Sequence, residues 1–135
     1  MKSELSKKNE YWLPKNRYYE LKYFCLQYPY WKYVCNSIDS YTKIGYSGKK
    51  NNKVSQTEIA VNYRELYLKN IKLVERAAYL SDNIISRYLL IGVTENLSYD
   101  KLTARYRIPC CRKYYYELYR KFFYILSYSQ NSQCV

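Results

Sequence analysis

The chain contains no histidine, which removes the side chain that most often serves as a general base near neutral pH. Its eleven carboxylates show no paired pattern, and no GxGxxG, GxxxxGK[ST] or GxSxG segment occurs. An enzyme is therefore not expected. Glycine and proline number only three each, which argues for a helical globular protein rather than a disordered one. The five cysteines, Cys25, Cys35, Cys110, Cys111 and Cys134, are an odd set without CxxC spacing. With no imidazole to complete a four-ligand site, they predict neither metal nor cofactor, and reduced packing residues are the expectation. No run of about 18 apolar residues exists, and Met1 to Glu10 lacks an apolar core, so neither a membrane span nor a signal peptide is expected.

What the chain does contain is tyrosine and positive charge. Hydrophobic residues make up 48% of the 135 positions, and 21 residues are tyrosine. Tyrosine joins a large apolar body to a polar tip, which suits a core edge, a partner surface or stacking on a base. The formal net charge is +12. Residues 1–53 carry 11 Lys and Arg against 4 Asp and Glu, a surplus of 7. Residues 54–97 carry 5 against 5, and residues 98–135 carry 7 against 2, a surplus of 5. The excess is confined to the two ends, the pattern expected if they meet a polyanion while the neutral middle builds the core or a protein interface.

The spacing of apolar residues divides one domain into four stretches. Residues 1–15 read as a basic, frayed arm. Residues 16–53 hold a helical pair and a basic loop: one helix begins near Asn16, with Tyr18, Leu21, Phe24, Cys25 and Tyr28 on its buried side, and stops at Tyr28-Pro29. Pro29 opens a short second helix with Trp31, Val34 and Cys35 inward, and the stretch from Ser37 to Lys53 reads as a mobile loop carrying Lys43, Lys49, Lys50 and Lys53. Residues 54–97 are the central helices. Ser55 and Glu58 form a capping box for a helix over 56–80, and Asp82 caps another over 83–93. Ile59, Tyr63, Leu66, Leu73, Ala77, Leu80 and Ile84 trace a seam broken by Asn70, and a second apolar row holds Leu68, Ile71, Val74 and Ala78. The seam allows intramolecular packing or a homodimer through the 56–84 helix.

Residues 98–135 form a unit of a different kind. Ser98 is the expected cap of a short helix, Tyr99 to Arg105, and Tyr106 to Ile108 form a tight turn. Pro109 opens a longer helix. Leu102, Tyr106 and Ile108 should lock the unit onto the preceding helix. At 100° per residue, Cys111, Tyr115, Leu118, Tyr119, Phe122 and Leu126 share one apolar stripe. Opposite them lie Lys113, Glu117, Arg120 and Tyr124, flanked by Cys110, Tyr116 and Lys121. Arg105 and Arg107 lead into this face and supply phosphate-level charge. The fold expected is all-α, a small helical bundle with a C-terminal helix-turn-helix.

The segment from about Ile84 to Leu126 resembles the carboxyl-terminal half of late-gene transcription regulators of Gram-positive phages, the ArpU/RinA type, whose helix-turn-helix is similar to the promoter-reading part of sigma factors. LPKNRYYELKYFCLQYPYWK resembles a recurrent prophage protein of the same bacteria. The resemblance implies a transcription regulator of double-stranded DNA in the cytoplasm of a bacterial host. It assigns base or phosphate contact to Arg107, Cys110, Arg112, Lys113, Tyr116 and Arg120. Arg107 stands where such motifs usually carry glycine. Two alternatives stay open: an anti-CRISPR-like phage inhibitor that binds a host protein or ribonucleoprotein, and a small terminase-type packaging subunit. Exposed tyrosines on the N-terminal helices, away from the basic face, would favour a protein partner.

Overall fold

The computed structural model describes residues 9–43 and 56–133. Among them are six helices and no strand: α1 (Lys15–Leu26), α2 (Tyr28–Lys43), α3 (Gln56–Ser81), α4 (Ser86–Glu95), α5 (Tyr99–Tyr106) and α6 (Arg112–Gln133). The expected all-α class is the class observed. No helix among the described residues is long and apolar enough to cross a membrane.

Local chemistry explains most of the boundaries. The Pro14 carbonyl accepts from the Tyr18 amide at 2.9 Å and starts α1, whose buried side is Tyr18, Leu21 and Cys25. Gln27 alone separates α1 from α2. Pro29 sits in the first turn of α2, where its missing N–H leaves no helical bond unmade. The Tyr28-Pro29 stop is thus a break of one residue. α2 is longer than expected and takes in Ile38 to Lys43, which were expected to begin the basic loop. Packing on α3 overrides that local preference. Trp31 and Cys35 are buried, and Asp39 pairs with Arg64 of α3 at 2.6 Å.

α3 spans the expected range, but its buried side is the second row rather than the first. Ile71, Val74 and Ala78 are buried and Leu68 is half-buried, whereas Ile59, Tyr63, Leu66, Leu80 and Ile84 are exposed. In the seam only Leu73 and Ala77 are buried, and they lie inside the protein's own core. A coiled coil along the whole 56–84 segment is therefore excluded. Asp82 Oδ1 accepts from the amides of Ile84 (2.8 Å) and Ile85 (3.0 Å). That turn delays α4 to Ser86, three residues after the expected start. Ser55 and residues 1–8 lie outside the described residues.

The buried side chains form one cluster fed by all six helices, with Trp31, Tyr115, Phe122, Phe123, Leu21, Leu89, Leu102 and Leu126 wholly enclosed. α3 packs against α2, α4 and α6, while α1 lies on α4 and α6. Arg17 of α1 reaches α6 and donates to Ser127 Oγ (3.0 Å) and Gln130 Oε1 (3.0 Å). Along α6, Tyr115, Tyr119 and Phe123 meet ring to ring, with 6.1 and 5.0 Å between successive centroids. Tyr18 closes the run onto α1 at 5.2 Å from Phe123. A good part of the tyrosine content is thus core edge.

Candidate nucleic-acid interface

The candidate site is the corner where α5 turns into α6. Ser98 caps α5 as expected, its hydroxyl accepting from the Lys101 amide at 3.3 Å. α5 then runs to Tyr106 and closes on Arg107, which is left-handed (φ 52°, ψ 58°) and donates its N–H to Thr103 O at 3.0 Å. The position where glycine was the familiar residue does take the glycine-like conformation, at the steric cost an L side chain incurs there. The turn is longer than the expected three residues. Ile108 is buried, Pro109 and Cys110 bend the chain, and α6 begins at Arg112, with the Cys111 carbonyl accepting from Tyr115 N at 3.0 Å. Cys111, expected in the apolar stripe, is exposed because the helix starts after it.

Tyr99 is the residue that fixes this corner, and the sequence reading missed it. Its hydroxyl donates to the Cys110 carbonyl at 2.5 Å, and its amide donates to the Tyr116 hydroxyl at 3.2 Å. Its ring lies 5.7 Å from that of Tyr115 and 5.6 Å from the Arg112 guanidinium. Only its place directly after the Ser98 cap marked it. α5 itself rests on α4, where Leu102 is buried beside Gly92. Tyr106, expected to lock the unit down, is exposed instead.

The candidate residues separate into three groups. Arg105, Arg107 and Lys113 are exposed, and their side chains make no ion pair or hydrogen bond among the described residues. Lys101, one turn before Arg105 on α5, is exposed in the same way and joins them, although the sequence reading did not select it. Arg112, Cys110 and Tyr116 form the second group and are engaged within the corner. Arg112 pairs with Asp100, and that bond holds its proton still more firmly. Cys110 is half-buried, and burial pushes its thiol up. Tyr116 is half-buried between Tyr115 and Tyr119, at 5.1 and 5.9 Å. It serves packing rather than an open face.

Arg120 and Lys121 form the third group, and both are half-buried. They line a cavity of about 340 Å³ together with Asn9, Glu10, Tyr11 and Tyr114. Tyr11 packs on Tyr124 at 5.6 Å, so residues 9–11 lie over the outer side of α6 that the wheel left free. Arg120 Nε is enclosed without a hydrogen-bond partner. At the cavity's edge Tyr114 donates to Asp82 and holds that carboxyl below the usual range, which ties α6 to the α3–α4 turn. Among the auxiliary lysines, Lys43 ends α2, and Lys49, Lys50 and Lys53 lie outside the described residues.

Among the described residues, four cations around this corner thus have no counter-charge. The structure also presents a second exposed surface, of opposite chemistry. Tyr23, Tyr30 and Tyr33 stand out from α1 and α2, and Tyr30 meets Tyr67 of α3 at 5.9 Å. Comparison with family models, curated proteins and solved structures finds no match to this chain.

Proposed function

We propose that the chain binds double-stranded DNA through the α5–α6 corner. The observation that supports this reading is the set of four exposed cations, Lys101, Arg105, Arg107 and Lys113, with no acidic partner among the described residues. Charges left unpaired on a braced surface suit phosphates, which position a protein on a duplex without reading sequence. α5, the five-residue turn and α6 then act as a helix-turn-helix-like unit. Residues early in α6 would be the ones to reach base edges, because residues 9–11 lie over the side of α6 farther along. A role in regulating phage transcription is what the resemblance of Ile84 to Leu126 adds.

The test is fluorescence anisotropy with a labelled duplex across a salt series. Four phosphate contacts give a slope of log K on log salt of about −3.6, or about a hundredfold loss between 50 and 200 mM salt. Arg105→Glu with Lys113→Glu should abolish binding while the circular dichroism spectrum is unchanged. Unaltered affinity in that variant rejects the corner.

The exposed tyrosines of α1 and α2 favour a second reading, a phage-encoded protein that binds and inhibits a host protein, since aromatic side chains dominate the binding energy of protein interfaces. A pull-down from host lysate, with and without nuclease, separates the two: a protein retained after nuclease treatment supports this reading.

A further inference from the structure

The cavity of about 340 Å³ beside α6 is bounded by residues 9–11 and by the end of α3. Residues 9–11 form an ordered turn: Asn9 Oδ1 accepts from the Tyr11 amide at 2.8 Å, and the Asn9 carbonyl accepts from Trp12 N at 3.1 Å. At the end of α3 the Ser81 hydroxyl donates to Ala77 O at 2.8 Å, and the Tyr114 hydroxyl of α6 donates to Asp82. These polar groups are engaged, which leaves the charged ones to meet a ligand.

The four charged side chains of the cavity divide by depth. Arg120 and Lys121 are half-buried, whereas Glu10 and Glu117 are exposed. Neither cation makes a hydrogen bond or ion pair among the described residues. Lys121 is close enough to Asp82 to help Tyr114 hold that carboxyl below its usual range, so its charge is partly answered. Arg120 Nε is enclosed and has no acceptor, an unfavourable state for a charged donor. Burial, followed by the Glu10 and Glu117 carboxylates, pushes the Tyr11 hydroxyl up, so both carboxylates stand near the Tyr11 end of the space.

An oxyanion supplies what the guanidinium lacks. A polyanion does not fit, because Glu10 and Glu117 at the solvent side repel a second negative charge. A positive group carried beside the oxyanion turns that repulsion into attraction. Tyr11, Tyr114 and Leu118 add apolar bodies to the walls. At roughly 30 Å³ per water molecule the space has room for about a dozen heavy atoms.

We infer that this cavity binds a free α-amino acid with an apolar side chain, its carboxylate on Arg120, its ammonium toward Glu10 and Glu117, and its side chain against Tyr11, Tyr114 and Leu118. The proposal does not rest on DNA binding, because Lys101, Arg105, Arg107 and Lys113 take no part in it.

Isothermal titration calorimetry on the full chain with L-phenylalanine and L-leucine tests it. Both should bind. Hydrocinnamate, which lacks the ammonium, and phenethylamine, which lacks the carboxylate, should each bind at least about tenfold more weakly than L-phenylalanine, and inorganic phosphate should not bind. Arg120→Gln should weaken L-phenylalanine by about tenfold or more. If that variant melts early, Glu117→Gln, at an exposed position, carries the test: it should weaken L-phenylalanine and leave hydrocinnamate unchanged or tighter. No binding of either amino acid at millimolar concentration overturns the proposal. So does phosphate or hydrocinnamate bound as tightly as L-phenylalanine, or a Glu117→Gln protein that binds L-phenylalanine as well as the unaltered chain. Each of these failures leaves the salt-dependent DNA titration untouched.

Discussion

Replacing Gly92 by alanine would put a methyl group where α4 meets Leu102 of α5 and Tyr115 of α6. A Cβ at that position stands 2.1 Å from the Tyr115 hydroxyl oxygen and 3.0 Å from Leu102 Cδ1. Tyr115 and Leu102 are wholly buried, so neither can retreat into solvent. Overpacking of this kind costs about 1–3 kcal/mol, and the better helix propensity of alanine offsets up to about 1 kcal/mol of it. A net loss of about 1–2 kcal/mol lowers the melting temperature by roughly 3–8 °C in a domain of this size. Tyr115→Phe removes the offending oxygen. The next ring atom is 3.4 Å from the new methyl, an ordinary contact. In the Tyr115→Phe background only Leu102 Cδ1, at 3.0 Å, still has to give, so the same Gly92→Ala change should cost about 1 kcal/mol less, a coupling of about 1 kcal/mol. Urea titrations of the four proteins, followed by far-ultraviolet circular dichroism, measure it. Equal cost in both backgrounds would show that the helices do not meet as described. The result bears on function too, because this contact seats the amino-terminal half of α6 and with it the corner.

Other expectations follow from single contacts. Ser98→Ala removes the cap of α5 and should cost about 1 kcal/mol by the same titration. Arg107→Gly relieves a left-handed arginine and should stabilise the fold by up to about 1 kcal/mol, yet shrink the salt slope of DNA binding by about one, so stability and affinity move in opposite directions. The Tyr114 hydroxyl, helped by the amides of Ile85 and Ile84, holds the Asp82 carboxyl below its unfolded value. Its contribution to stability is full above the ordinary carboxylate value, near about pH 4, and disappears as pH falls through the lowered folded value. Tyr114→Phe should flatten that acid-side loss in a pH series of urea midpoints; an unchanged slope would reject the bond. Burial pushes the Cys25 thiol up and shields it, while Cys111 is exposed. Iodoacetamide followed by peptide mapping should label Cys111 first and Cys25 only on unfolding.

The helical class and much of the buried set were legible in the sequence because they depend on local spacing. Tyr18, Leu21 and Cys25 on α1, and Tyr115, Leu118, Tyr119, Phe122 and Leu126 on α6, recur at helical intervals and are buried as those intervals require. The Ser98 cap was equally plain, since a hydroxyl before the first helical residue satisfies an amide that has no other partner. Signals of this kind need nothing beyond the chain's own neighbouring residues.

What the sequence alone could not determine was which of two acceptable arrangements tertiary packing would select. α3 carries two apolar rows, and only the places of α2, α4 and α6 decide that Ile71, Val74 and Ala78 go inward while Ile59, Tyr63 and Leu66 stay out. The loop-like Ile38 to Lys43 is helical because α3 lies beside it and Arg64 waits for Asp39. Arg120 and Lys113 share a face on the helical wheel, yet residues 9–11 cover one and leave the other bare. Tyr99 had no periodic signal; it matters because α5 and α6 converge on it. Periodicity fixes which side chains share a face, whereas burial depends on what lies opposite, and that is set by contacts between residues far apart in the chain.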